Sequence, residues 1–390
     1  MCISVLSTSH PEYPFVLISN RDEYINRPTL VADWWDEPYE HILGGRDTQR
    51  KERGTWLGIT KQGRIAILTN FREEGVEVNK DKSRGAITNS YLCVDPDSTE
   101  TDEEYVRRLL NDVGIHDVGG FTLIFGKLRR PNQTTSPESE VGTLRAESPA
   151  VSRLNMLRDH QSPNTNPSSP SRTTPKKNPA SPSLCGSAAS GLAVISNRTE
   201  TASSLKCIAT HIGETHGLSN SHFGDVTWPK VVHGELRLQQ TIKMDVLRGG
   251  DEAKFIEGLF DILCVDTLPN RKETENWDEY VRHMRDSIMI PPAKGELAKQ
   301  MAGYIPASTS LKASAGTAKP PEPEPESSTA QTASGSVAET SYGTSKQTVI
   351  LVNKQGKVTY VERTLYDQHG TPIPEGKGDV RFEFDIDGWS

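Results

Sequence analysis

Residues 1–24 read MCISVLSTSHPEYPFVLISNRDEY. Two β-rich runs, CISVLST (2–8) and PFVLISN (14–20), flank SHPEY, a turn-forming connection. The pattern predicts a hairpin. In a hairpin the end of the second strand lies beside the start of the first. The polar cluster Asn20-Arg21-Asp22-Glu23 is therefore expected next to Cys2. Cysteine is small enough for Met1 to be removed co-translationally, which would leave an α-amine and a thiol on one residue. That amine titrates near neutrality and can act as base for its own thiol. The pair still needs oxyanion donors and a group that orients substrate, and these must come from neighbouring strand ends. Each element also has a plainer reading. A cysteine at position two is an ordinary small core residue, and a cluster such as NRDE is an ordinary charged turn. Their conjunction on paired strands carries the chemical reading.

Outward from this hairpin the chain is well patterned. TWLGIT (55–60) and RIAILTN (64–70) flank Lys61-Gln62-Gly63, a second hairpin. QTVILVN (347–353) and KVTYVER (357–363) form a third around Gln355-Gly356. GFTLIFG (120–126), GLAVISN (191–197), SIMI (287–290) and RFEFDI (381–386) read as single strands. Helical spacing appears in 102–113 through Tyr105, Leu109 and Val113, and from Asp251 onward through Phe255, Leu259 and Ile262 or Leu263. A helix over 228–242 has Thr227 as its expected N-cap and Pro229 in the first turn, where a missing N–H costs nothing. Strands arriving in hairpins, with helices in separate groups, predict an α+β fold and not a βαβ series.

Composition sets the remaining bounds. The chain has 390 residues, only 34% of them hydrophobic, with 31 Gly and 25 Pro. Residues 131–188 and 306–341 are dense in Ser, Pro and Thr and lack periodicity. They are predicted to be disordered insertions. The ordered domain is then built from 1–130, 189–305 and 342–390. A net charge of −8 argues against a nucleic-acid partner. No signal peptide and no transmembrane segment is read, so a cytoplasmic, reducing location is expected. The five cysteines, Cys2, Cys93, Cys185, Cys207 and Cys264, contain no CxxC pair and suggest neither disulfide framework nor zinc site. His211 and His216 sit five apart around Gly213, the wrong spacing for one helical face, so no metal is expected. Gly44-Gly45-Arg46-Asp47 reads as a tight loop, and Trp34, Trp35, Trp56, Trp228 and Trp277 as core or cleft wall.

Several stretches in fixed order carry a resemblance: MCI at the start, SNRDEYINRP (19–28), GTWLGITKQGRIAILTN (54–70), SRGAITNSYL (83–92), GGFTLI (119–124), GLSN (217–220) with WPK (228–230), and YGTSKQTVILVNKQGKVTYVER (342–363). Together they resemble the NRDE family, also called the transport and Golgi organisation protein 2 family. The match covers nearly the whole ordered part. The resemblance implies a single N-terminal-nucleophile (Ntn) hydrolase-like αββα four-layer sandwich. It implies roles in Golgi organisation, protein secretion, mitochondrial and lipid metabolism, and haem trafficking, with no settled reaction.

By analogy with cysteine-type bile-salt and penicillin amidases, Cys2 would be the nucleophile, Arg21 and Asp22 the strand-end pair, and Asn70 and Asn220 the two asparagines. On the ligand side the expected residues are Asn20, Arg21 and Glu23. No cofactor is required, and haem is a candidate ligand. Two functions follow. One is a carrier of a small hydrophobic anionic ligand, haem or acyl-CoA, with peripheral Golgi or mitochondrial association. The other is a thiol amidase or thioesterase. The chain departs from the family pattern at Arg53, where GGTWLG is common, and at Ser345, where YGTR is common. A cation needed there would have to be Lys346.

Overall fold

The computed structural model describes residues 2–71, 82–130, 191–269, 282–294, 341–367 and 369–389. Apart from Ser341, both predicted insertions lie outside the described residues, as does Trp277.

The first sheet is built on the N-terminal hairpin, β1 (Ile3–Ser7) and β2 (Phe15–Tyr24). Its register sets Ile3 opposite Asn20 and Ser7 opposite Val16. β10 (Thr215–Leu218) flanks β1. On the other side β2 pairs with β12 (Ser341–Val352), followed by β13 (Lys357–Thr364) and β14 (Asp379–Asp385). The short β11 (Ala293–Lys294) adds to the start of β12. The second sheet runs β3 (Thr29–Trp34), β4 (Ile42–Asp47), β5 (Leu57–Thr60), β6 (Arg64–Asn70), β7 (Phe121–Lys127), β8 (Leu192–Ser196) and β9 (Lys206–Ile208). Every pairing is antiparallel.

Period-two alternation sorts the strand side chains into three apolar layers. Leu6, Leu17, Ile350 and Tyr360 of the first sheet meet Leu43, Ile59, Ile65, Ile67 and Ile124 of the second. The opposite face of the second sheet, with Leu68, Leu123 and Phe125, is covered by α1 (Arg84–Leu92) and α2 (Asp102–Arg108). The opposite face of the first, with Ile3, Val5, Val16, Ile18 and Val349, is covered by α3 (Pro229–Arg248) and α4 (Glu252–Leu263). The result is the expected αββα sandwich. It explains why β2 reads as an unbroken apolar run: both of its faces are buried.

Some local expectations are corrected. Gly44–Asp47 is not a tight loop but the body of β4. SIMI is not a strand, although Ile290 is tied to β12 through its carbonyl, which accepts from Thr344 N–H at 2.8 Å. Thr227 does not cap α3: its hydroxyl donates to Asp225, and the N-cap position falls on Trp228 without a side-chain cap. Cys2, Cys93 and Cys264 are free thiols, whereas Cys207 is disulfide-bonded, against the expectation from spacing.

His211 and His216 both turn to Glu214, at 3.3 and 2.6 Å, and no cluster suited to a metal exists among the described residues. Burial alone would raise the Glu214 carboxyl, but hydrogen bonds from His216, the His211 N–H and Thr210 hold it down at about 2. A carboxyl depressed in the folded state stabilises above its unfolded value and loses that contribution as pH falls through the folded value. Acid unfolding between pH ~4.3 and ~2 should therefore be shallower in Glu214→Gln than in the wild type, as circular dichroism against pH will read.

Candidate functional site

At the open end of the two sheets lies a cleft of about 460 Å³. Cys2, Arg21, Asp22, Glu23, Asn70 and Asn220 all line it. The hairpin deduction holds: the Cys2 thiol donates to Asp22 O at 3.7 Å and accepts from Asp22 N–H at 3.4 Å. Burial pushes the Cys2 thiol up, and it pushes the Tyr342 phenol well up as well.

Asn20 is corrected. It shares parity with Ile18 and faces the helices, where its amide donates to Leu263 O at 2.8 Å and Ile288 O at 3.0 Å. That amide positions α4 and does not line the cleft. Arg21 has the opposite parity and points between the sheets. It is 6% exposed. Its guanidinium stacks 4.4 Å over the Trp56 ring and donates to Ser345 Oγ at 3.2 Å. Among the described residues no carboxylate lies within ion-pair distance of it.

Asp22 accepts from Thr344 Oγ at 2.6 Å, and Thr344 Oγ in turn accepts from Ile290 N–H. This is the role of the YGTS stretch. Gly343 is required there because a Cβ would stand 2.9 Å from Ile290 O and from Pro292 Cα. A bulge between Thr344 and Lys346 lets Ser345 reach Arg21. Lys346 is therefore not the cation of the cleft: it is buried and paired with Glu362 at 2.8 Å. Glu23 lines the cleft and accepts from Tyr24 N–H, with Arg27 at 3.9 Å.

The asparagines meet, but not as two free oxyanion donors. Asn220 Nδ2 donates to the backbone carbonyl of Asn70, so one of its N–H groups is committed to holding the end of β6. The Oδ1 atoms of both side chains are buried without a hydrogen-bond partner among the described residues.

Several cleft residues were not singled out from sequence. α1 begins beside the cleft, with Lys82, Ser83, Arg84 and Gly85 on its wall. Arg84 donates to Gly120 O at 3.2 Å, and burial lowers its pKa. Gly54 and Gly85 touch backbone to backbone, a Cβ on Gly54 falling 2.8 Å from Gly85 Cα. Asn89 of α1 binds Glu52 O, Arg53 O and Thr55 N–H, fixing the loop that carries Trp56. Arg53 sits in that loop at φ 45°, the left-handed region that glycine adopts without cost. This accounts for the glycine common at that position. The signal for α1 was the stretch SRGAITNSYL itself, which reads as a motif without helical periodicity.

Four layers with a thiol at the first strand's open end define the class: an N-terminal-nucleophile hydrolase-like αββα protein. The family model for Transport and Golgi organisation 2 matches residues 1–367, and the chain belongs to that family. It is similar to the Transport and Golgi organization protein 2 homolog of Homo sapiens, 35% identical over 117 residues, which are 30% of this chain and 40% of that protein. It is similar to an uncharacterized protein of Saccharomyces cerevisiae, 30% identical over 132 residues, 32% of this chain and 42% of that protein. The chain thus spans less than half the length of these curated relatives. Among solved structures it is similar to the C2A mutant of conjugated bile acid hydrolase from Clostridium perfringens, at TM-score 0.31 and 11% identity, covering 99% of this chain and 92% of that chain. No helix of the described residues is long and apolar enough to cross a membrane.

Proposed function

We propose that the Cys2 cleft binds a small hydrophobic ligand with an anionic group, and that Arg21 is the countercharge. The observation that carries this reading is the buried Arg21 guanidinium, stacked on Trp56 with no carboxylate partner among the described residues. A buried charge is costly unless paired, so an anion supplied by the ligand completes the site. Trp56, Leu68, Val118 and Tyr342 offer apolar wall, and Arg27, Arg50, Lys82 and Arg84 make the mouth cation-rich.

An acyl-CoA, with an apolar chain and several anionic groups, suits this lining better than haem. Haem would look to Cys2 or Tyr342 for its iron, and burial pushes both up, which adds to the cost of giving up the proton to the metal. On this reading the protein carries its ligand between compartments, cytoplasmic with peripheral Golgi or mitochondrial association. Golgi organisation and secretion would depend on that supply.

A second reading, thiol amidase or thioesterase, is favoured by the Cys2–Asp22 contacts and by Asn70 and Asn220 on the same wall. The committed Asn220 N–H weighs against it. Cys2→Ala separates the two. Calorimetric titration with a long-chain acyl-CoA should give a dissociation constant within about threefold of wild type, and thioester hydrolysis should be absent from both chains. Wild-type hydrolysis that Cys2→Ala abolishes would establish the enzyme reading instead.

A further inference from the structure

α3 runs alongside β1 in the same direction. Gly234 sits against Ile3 and Val5, and Asp245 meets His10 at 3.1 Å. One turn before Gly234 is about 6 Å along the helix axis, or about two residues of strand. That places Lys230 level with Cys2. Lys230 is 0% exposed, in the first turn after Pro229. Asp22 points to this same side of β2, because Ile18 and Asn20, of the same parity, face the helices. The charged and titratable groups around Cys2 are then the chain's α-amino group, Arg21 and Asp22 from β2, Tyr342 from β12 and Lys230 from α3. Asp286 acts on Lys230 from the 3-10 turn at His283–Arg285.

We propose that Lys230 is a positioning residue of the Cys2 site, its buried ammonium balancing the Asp22 carboxylate and so favouring the thiolate of Cys2. The proposal rests on the reading of the Cys2 cleft as the functional site. Burial lowers the pKa of Lys230, while Asp22, Cys2 and Asp286 pull it back up, as a cation held by these groups requires. Without it, Asp22 would act on the thiol opposed by the chain's α-ammonium, by its own backbone hydrogen bond to the sulfur and by Arg21.

The test is the rate of Cys2 alkylation by iodoacetamide in the full chain, mapped by peptide mass between pH ~6 and ~10. Lys230→Met should raise the inflection by about one unit, which is a ~10-fold slower reaction at pH values below both inflections. A folded Lys230→Met chain with the wild-type inflection overturns the proposal. Should that variant not fold, Asp286→Asn, at a side chain 40% exposed, takes its place. Removing a carboxylate that helps hold Lys230 as a cation should raise the inflection, and an unchanged or lowered inflection overturns the proposal. The inflection is read without ligand, so it stands apart from any failure of acyl-CoA to bind.

Discussion

Arg21→Met is expected to weaken binding of an anionic apolar ligand by about 30- to 700-fold while leaving the fold intact. The range corresponds to the ~2–4 kcal/mol lost when one partner of a buried, hydrogen-bonded charge pair is removed. Methionine retains the apolar stem that lies on Trp56 and removes only the charge. The free protein should not be destabilised, because among the described residues the guanidinium it loses has no carboxylate partner and donates one hydrogen bond, to Ser345. Equilibrium titration with a long-chain acyl-CoA, beside a denaturation curve, checks both halves. A variant that binds as wild type removes Arg21 from the site.

Lys346→Met should cost about 3–5 kcal/mol of stability without touching the cleft. Lys346 and Glu362 are 4% and 0% exposed. Glu362 Oε1 accepts from Lys346 at 2.8 Å and from Ala32 N–H at 2.9 Å. The pair therefore ties β3 of one sheet to β12 and β13 of the other. Removing one partner strands a buried charge, which is far more costly than replacing both. The double variant Lys346→Met with Glu362→Gln should recover most of the loss. Urea denaturation of the two single variants and the double variant measures the coupling. A single variant within ~1 kcal/mol of wild type would show that the pair does not hold the sheets.

The contrast between these two cations shows what sequence could and could not reveal. β1, β2, β5, β6, β12 and β13 were legible because their turns are short and their apolar runs dense. The placement of Arg21 and Asp22 beside Cys2 followed from hairpin pairing alone. The parity that turns Asn20 toward the helices was present in the sequence, since Ile18 and Asn20 share it. Lys346 was not legible. Its direction depends on the bulge at Ser345, which is set by pairing with β2 and leaves no trace in composition. β3 and β4 were missed because Thr29–Trp34 and Ile42–Asp47 carry Asp, Gly and Arg, and their strand character comes from pairing with β5 and with each other. α1 was missed because RGAITNSYL buries only Ile87, Thr88, Tyr91 and Leu92, too few to show a stripe. The cleft's cationic wall went unseen with it. Lys230 stood in plain view within WPK, but its burial beside Cys2 depends on the course of α3 along β1.

The most direct measurement is Cys2 alkylation with and without a saturating long-chain acyl-CoA, read by peptide mass with Cys93 and Cys264 as internal controls. If the ligand lies in the cleft against Arg21, Cys2 is protected at least ~10-fold while the two control thiols react unchanged. If the ligand binds and Cys2 reacts at its free rate, the ligand sits elsewhere and the Cys2 cleft is not the binding site.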